Sequence, residues 1–592
     1  MNRERSLRRL GPMVSLRLAA PAAPVALALV TLGAACARAP LPSASRIDRL
    51  PGLGARTFVT LENETRPALL LRSGERRSCR TTVEPGSRLF FSLGVVDGAP
   101  SGGWLHLAVL ADGHRVFEHR FPLDGHEGFW DRVVPVPGSG LETLEFAADL
   151  SEETAPAGRA AIALVSPRLH HPLRRGRRDL VWVSQDTVRA DHLSAYGYGR
   201  PTSSHFDAMA KDWSVFDNAV ATAPWTLPSM ASQMLSRYPM YHGAVMETLS
   251  ANEDPSLFER LAEEGFAVVG VTANPYICAE RSLARGFDAL FATDGRATEV
   301  NSLALRALDL SLGGDLALFV HYMDPHTSYH PPPPYDRMFD DPAYRGVVQG
   351  VTNFDKVYPV ISSADTEHLK ALYDGEIAFT DTAISHLVRE LEARGLVRDA
   401  VIAYTADHGE EFRDHGSWAH SRTLYQELVH VPFALRVPGV PPGRIAQPVS
   451  LVDLAPTLLD AFGIPSPPTF QGRSLLPLLR GKAVSMTDAF AETILTPDRN
   501  QLVALRSANW KYVLTVPRDR DPEPVPLREE LYDLATDPGE RLNRASSPEC
   551  APLRRRTLAY LSHARAHSHP GPPAVLDPQA IEKLRAWGYG GP

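Results

Sequence analysis

At 592 residues, with 44% hydrophobic and 22% charged residues, the chain is ordinary in composition and long enough for two or three buried cores. A formal net charge of -8 excludes the basic footprint of a nucleic-acid binder. Four cysteines (Cys36, Cys79, Cys278 and Cys550), none at metal-ligand or redox spacing, exclude a disulfide-rich scaffold.

Residues 1–37 read as an export signal. Arg8 and Arg9 precede a short apolar stretch, LAAPAAPVALALVTLGAAC, too short and too rich in small residues for a stable membrane span. Two processing sites compete: Ala35-Cys36-Ala37 as a peptidase site, or Leu32 to Cys36 as a bacterial lipobox with lipid on Cys36. The expected location is outside the cytoplasm: periplasmic, lipid-anchored or secreted. Residues 38–55 read as a linker. Over 56–170, the alternating runs TFVTLE, LFFSLGVV, WLHLAVLA, HRVFEHRF, LETLEFAAD and AAIALVS predict a β-sandwich accessory domain. It resembles a jelly-roll, galactose-binding-like module. Trp104 and Trp130 are read first as core residues, with sugar stacking as the sharper alternative. Residues 170–178, HHPLRRGRR, read as a solvated basic connection.

From 179 to 485 the pattern becomes α/β. DLVWVS, FAVVGVTA, LALFVHY and AVIAYTA are short continuous apolar runs separated by helical-period stretches, which predicts a mostly parallel sheet flanked by helices. Chemistry gathers at the carboxyl ends of such strands. There the sequence places Asp186, then Asn274, then Asp324 and His326, then Asp407 and His408. Residues 486–592 read as a small C-terminal α+β subdomain, with strands in LVALRSANWKYVLTV and EELYDLATDPGE and a last helix in IEKLRAWGYGG.

An oxygen ligand beside an imidazole suits a divalent cation, so Asp407-His408 is the first candidate site. Gly409 is expected to let the backbone turn away, and His415 and His420 follow. Asp186 offers a second carboxylate, while Asp191 and His192 read as scaffold. Thr226 and Pro228 open a helical stretch. Thr226 either caps that helix or presents a hydroxyl at a helix N-terminus, where an anion and a metal-activated alkoxide belong. His326 suits an anionic oxygen or a leaving group. Asp324 either orients His326 or ligates a second metal, and His321 reads as a satisfied core histidine.

Taken together, DTVRADHLSAYGY, TLPSMAS, GFDALF, HYMDPH, TADHGEEFRDHGSWAH, VSLVDLAPTLLDAFGI and ELYDLATDPGE resemble the sulfatase family of the alkaline phosphatase superfamily, from residue 179 onward and in family order. The resemblance implies an alkaline phosphatase-like α/β fold. It implies one divalent cation (Ca, Mn, Mg or Zn) on Asp186, Thr226, Asp407 and His408. Thr226, His326 and His420 take catalytic places, and Asn274, His326 and His420 contact an anionic ester of a small molecule, glycan or lipid. His415 and Asp324 are supporting positions. Thr226 stands where the family carries the cysteine that becomes formylglycine, and Met230 where it carries an arginine. No formylglycine is therefore expected, and phosphate or phosphonate esters are favoured over sulfate esters. A head-group transferase and a non-catalytic glycan-binding protein are the alternatives.

Overall fold

In the computed structural model, residues 45–568 and 571–574 are described apart from internal gaps, the longest being 97–103, 123–127, 151–160 and 349–360. The export segment with Cys36, most of the proposed linker and the IEKLRAWGYGG stretch lie outside the described residues. No helix among the described residues is long and apolar enough to cross a membrane.

Five parallel strands form the centre of the largest sheet, in the order Val401–Ala406, Asp179–Gln185, Leu316–Tyr322, Ala267–Thr272 and Ala289–Ala292. The first four are the apolar runs, and every residue in them is buried, as a sheet covered on both faces requires. Antiparallel His430–Arg436 and then Ser214–Val220 extend one side. The helices Thr226–Leu235, Ala297–Ala307, Ser363–Ala393 and Leu454–Ala461 cover the faces. The 31-residue helix starts at a capping box in which Ser362 and Asp365 satisfy each other's backbone amides.

The N-terminal region is a pair of antiparallel sheets. Arg76–Val83, Gly140–Leu150, Trp104–Ala111 and His114–Pro122 make one; Glu64–Arg72, Ala161–Pro172, Arg88–Val95 and Trp130–Pro135 belong to the other. Leu71, Leu89, Phe91, Leu107, Phe146 and Leu164 fill the space between them. Trp130 packs on Phe121, whereas Trp104 is exposed with Arg120 over its ring. The second sheet is continuous with the large parallel sheet, because Glu64–Arg72 pairs with Ala289–Ala292. The solvated connection expected at 170–178 is corrected in part. His170 and His171 are buried in a strand, and Arg177 and Arg178 pair with Asp179 and Asp315, because the chain runs through this joint instead of around it.

The C-terminal sheet, Ala489–Thr493, Gln501–Ser507, Trp510–Val516 and Arg528–Asp533, is an antiparallel meander closed by the helix Cys550–His567. Cys278 and Cys550 form no disulfide among the described residues.

Asp288 locks the joint between the N-terminal sheets and the large parallel sheet. Its carboxylate accepts from Arg49 at 2.6 and 3.0 Å and from the Val268 amide, and lies 3.2 Å from buried Arg168. Burial pushes its pKa up, but Arg49 and Arg168 outweigh that and hold it at about 2. Asp288→Asn strands a buried guanidinium and should cost about 3 kcal/mol in urea unfolding. Because the folded pKa is depressed, this contribution is full above about pH 4 and disappears as pH falls through about 2. The acid-unfolding curve of the variant should therefore converge on that of the wild type at the low end.

Candidate metal and nucleophile site

Four neighbouring strand ends deliver the site. The ladder continues past the strands: Asp186 N–H donates to Tyr322 O at 2.9 Å, Asp407 N–H to Gln185 O at 3.3 Å and Ala273 N–H to His321 O at 3.2 Å. The side chains that follow are thus fixed by sheet geometry. Gly409 is required by close approach and not by a left-handed turn: a Cβ there would lie 1.9 Å from the Glu427 carbonyl oxygen.

Asp186, Asp407 and His408 are fully buried, and one ligand atom from each lies within 4.8 Å of the others. His408 Nδ1 is bonded to the Gly409 carbonyl at 2.9 Å, which leaves the Nε2 lone pair facing Asp186 at 3.4 Å and Asp407 at 3.5 Å. Asp186 Oδ1 and Asp407 Oδ2 are buried without a hydrogen-bond partner. Burial and the charge of Asp407 raise the Asp186 pKa well above the carboxylate range. Burial lifts Asp407 to about 6, with His321 opposing. Two orphaned carboxylate oxygens and an oriented imidazole nitrogen fit a divalent cation.

Thr226 is not the helix cap. Trp225 holds that position in extended conformation, and Thr226 is the first residue of a helix whose ten residues are all buried. Its hydroxyl is therefore free of capping duty. It lies 3.3 Å from Asp186 Oδ2, 3.4 Å from His408 Nε2 and 3.2 Å from the Asn274 amide. Asn274 is oriented because its Oδ1 accepts from the Tyr276 N–H at 2.9 Å, which turns the NH₂ toward Asp186 at 2.6 Å.

His326 and His420 stand on the open side, with ring centroids 5.0 Å apart, and His420 is 4.6 Å from the His408 ring. Each has Nδ1 engaged, His326 with the Thr327 carbonyl at 2.7 Å and His420 with Glu410 at 2.9 Å. Burial lowers the pKa of both to about 3, with mutual repulsion adding at His326.

The remaining predicted positions separate. His415 is held away from the cluster by Glu427 at 2.6 Å and by stacking on Tyr425. Asp324 does not contact the His326 ring; it accepts from the Ala297 N–H and belongs to no metal-ligating group among the described residues. Asp191 pairs with Arg189, and His192 with Asp374 at 2.7 Å, which makes both scaffold. His321 differs from its reading as a satisfied core residue: it is fully buried with neither ring nitrogen hydrogen-bonded, and it faces Asp407 electrostatically.

Three contributors were missed. Glu410 is buried and bridges His420 to the Tyr329 hydroxyl. Ser229 donates to the Asp407 carbonyl at 2.6 Å, tying the Thr226 helix to the metal strand. Thr187 sits at φ 55°, a strained region for a β-branched residue, and its N–H donates to Asp407 Oδ1 at 3.2 Å. Only the spacing of Glu410 from Asp407 gave any sequence signal. Met230, at the arginine position, is buried on the Thr226 helix against the strand Asp179–Gln185, where Ser184 donates to its sulfur.

The sequence matches the Sulfatase family over residues 178–464 and the family described as N-sulphoglucosamine sulphohydrolase, C-terminal, over 414–567. It is 30% identical over 192 residues to arylsulfatase K of Mus musculus, covering 31% of this chain and 33% of that protein. The chain thus spans about a third of the length of that curated relative. Among solved structures, BT4656 in complex with D-glucosamine-2-N,6-O-disulfate matches with TM-score 0.56 at 19% identity, over 66% of this chain and 98% of that one. The phosphonate monoester hydrolase of Silicibacter pomeroyi matches with TM-score 0.52 at 22% identity, over 67% and 96%.

The metal reading gives a direct test. Metal-free Asp407→Asn should melt above the metal-free wild type, because one of two repelling buried charges is gone. Added Mn²⁺ should raise the wild-type melting temperature, by about 2.7 kcal/mol of stability at a hundredfold excess over Kd. It should leave Asp407→Asn unmoved in the same differential scanning measurement. Residues 178–567 are thus similar in sequence to sulfatase family models, and the fold is shared with solved sulfatase and phosphonate monoester hydrolase structures.

Proposed function

We propose that the protein is a metal-dependent hydrolase of sulfuric or phosphoric esters that works through a covalent Thr226 intermediate, with phosphate or phosphonate esters preferred. The observation that carries this reading is the Thr226 hydroxyl. It is fully buried in the first turn of a ten-residue helix, within 3.3 and 3.4 Å of two residues of the metal-ligating cluster.

Asp186, Asp407, His408 and the threonine oxygen would hold a divalent cation, which would supply Lewis acidity to that hydroxyl and to the ester. Thr226 Oγ1 attacks phosphorus or sulfur in line, and the bond to the leaving oxygen breaks. The Asn274 NH₂ and the helix N-terminus stabilise charge on the non-bridging oxygens. His420, oriented from behind by Glu410, and His326 stand where they can serve the leaving oxygen. Water then cleaves the threonine ester and restores the hydroxyl. Threonine cannot be converted to formylglycine, and methionine stands at position 230 where the family carries an arginine. Both points favour phosphorus over the sulfate route, and a phosphonate monoester hydrolase shares the fold. Residues 1–37 support an exported enzyme, lipid-anchored if Cys36 is modified.

Thr226→Ala should retain bound metal while losing ~1000-fold or more in kcat/KM, with Thr226→Ser partly restoring it. Matched 4-nitrophenyl sulfate, phosphate, phosphate diester and phosphonate ester, assayed with the metal-loaded enzyme, should give highest turnover on a phosphorus ester. Dominant sulfate turnover would reverse the preference.

A further inference from the structure

A second cavity, of about 250 Å³, opens beside His326. Its wall is connected to the nucleophile: Met323 lines it, and the Met323 sulfur is 3.4 Å from the Asn274 NH₂ that touches Thr226. Two carboxylates, Asp324 and Glu376, face into it.

Each carboxylate is half used. Glu376 is 3% exposed, and its Oε1 accepts from the His330 N–H at 2.7 Å. Asp324 Oδ2 accepts from the Ala297 N–H at 3.0 Å. Glu376 makes no second hydrogen bond among the described residues, while Asp324 also meets its own backbone N–H. Burial raises both carboxyl pKa values, that of Glu376 strongly, with Asp324 adding repulsion and Arg296 opposing. Arg296 is exposed at the rim, and Asp294 beside it returns a negative charge.

The cavity is thus acidic, while the metal-ligating cluster and helix N-terminus next to it suit an anionic ester. The two together form an electrical couple that suits a substrate with an anionic ester at one end and a cation at the other. Free carboxylate oxygens want N–H donors. Among the described residues no tyrosine, tryptophan or phenylalanine lines the cavity, so they build no aromatic cage of the kind that holds a quaternary ammonium.

We propose that this cavity is the subsite for the alcohol portion of the ester, and that it takes an alcohol carrying a protonated primary amine, bound by Glu376 and Asp324. The assignment rests on the ester-hydrolase reading above and names its substrate class.

The test uses the metal-loaded full chain and titration calorimetry with aminoalkyl-, hydroxyalkyl- and alkylphosphonates of two to four carbons. The best aminoalkylphosphonate should bind at least ~10-fold more tightly than its alkyl and hydroxyalkyl counterparts, as one charge-assisted hydrogen bond supplies. Glu376→Gln with Asp324→Asn keeps a side-chain carbonyl acceptor for the His330 and Ala297 N–H groups. It should erase that preference while leaving alkylphosphonate binding within about threefold. Arg296→Ala, which removes the opposing charge, should enlarge the preference. Equal binding of the three series, hydroxyalkylphosphonates binding as tightly as the amines, or a preference untouched by the double variant would each overturn the assignment. An amine preference without any ester turnover would instead sink the hydrolase reading alone.

Discussion

Two carboxylates with no exposure to water, Asp186 and Asp407, face the His408 Nε2, and no salt bridge to arginine or lysine reaches them among the described residues. Such a pair is expensive in an empty protein, because burial and mutual repulsion both oppose ionisation. The sheet imposes that cost by fixing both residues at adjacent parallel strand ends. The Thr226 helix meets the same point, tied down by Ser229 to the Asp407 carbonyl. Metal affinity, the acidity expected of the threonine and the charge pattern around the cleft all follow from this constraint. The acidic cavity beyond His326 extends the same logic to the substrate's other end.

What the sequence made legible was whatever the sheet dictates. Continuous apolar runs without alternation marked the four central strands, and the residue types after them marked the site. The strand Arg76–Val83 was invisible because RRSCRTTV keeps its inward face with only Cys79, Thr81 and Val83, none of them large. The 170–178 segment was misjudged because arginine-rich composition reads as solvated. Here the charges are spent on Asp179 and Asp315.

Side-chain partnerships were the least legible. Glu410 belongs to a Glu-Glu pair that in isolation suggests a wet surface, yet it is buried behind His420. Asp324 offered two roles by position, orienting His326 or ligating a second metal, and tertiary packing gave it a third as a wall of the acidic cavity. Thr226 could equally have been a cap; only the extended Trp225 before it settles that the hydroxyl is spare. The N-terminal sheets looked separable from sequence, but an edge strand pairs them to the catalytic sheet and Asp288 seals the joint.

The central claim is that Thr226 carries the transferred group. Rapid acid quenching of the metal-loaded enzyme during turnover of its best ester, followed by peptide mass spectrometry, tests it most directly. A phosphoryl-, phosphonyl- or sulfo-adduct on the peptide containing Thr226, absent without metal and absent in Thr226→Ala, is the predicted result. Steady turnover with that peptide unmodified, or an adduct on another residue that survives Thr226→Ala, would contradict it.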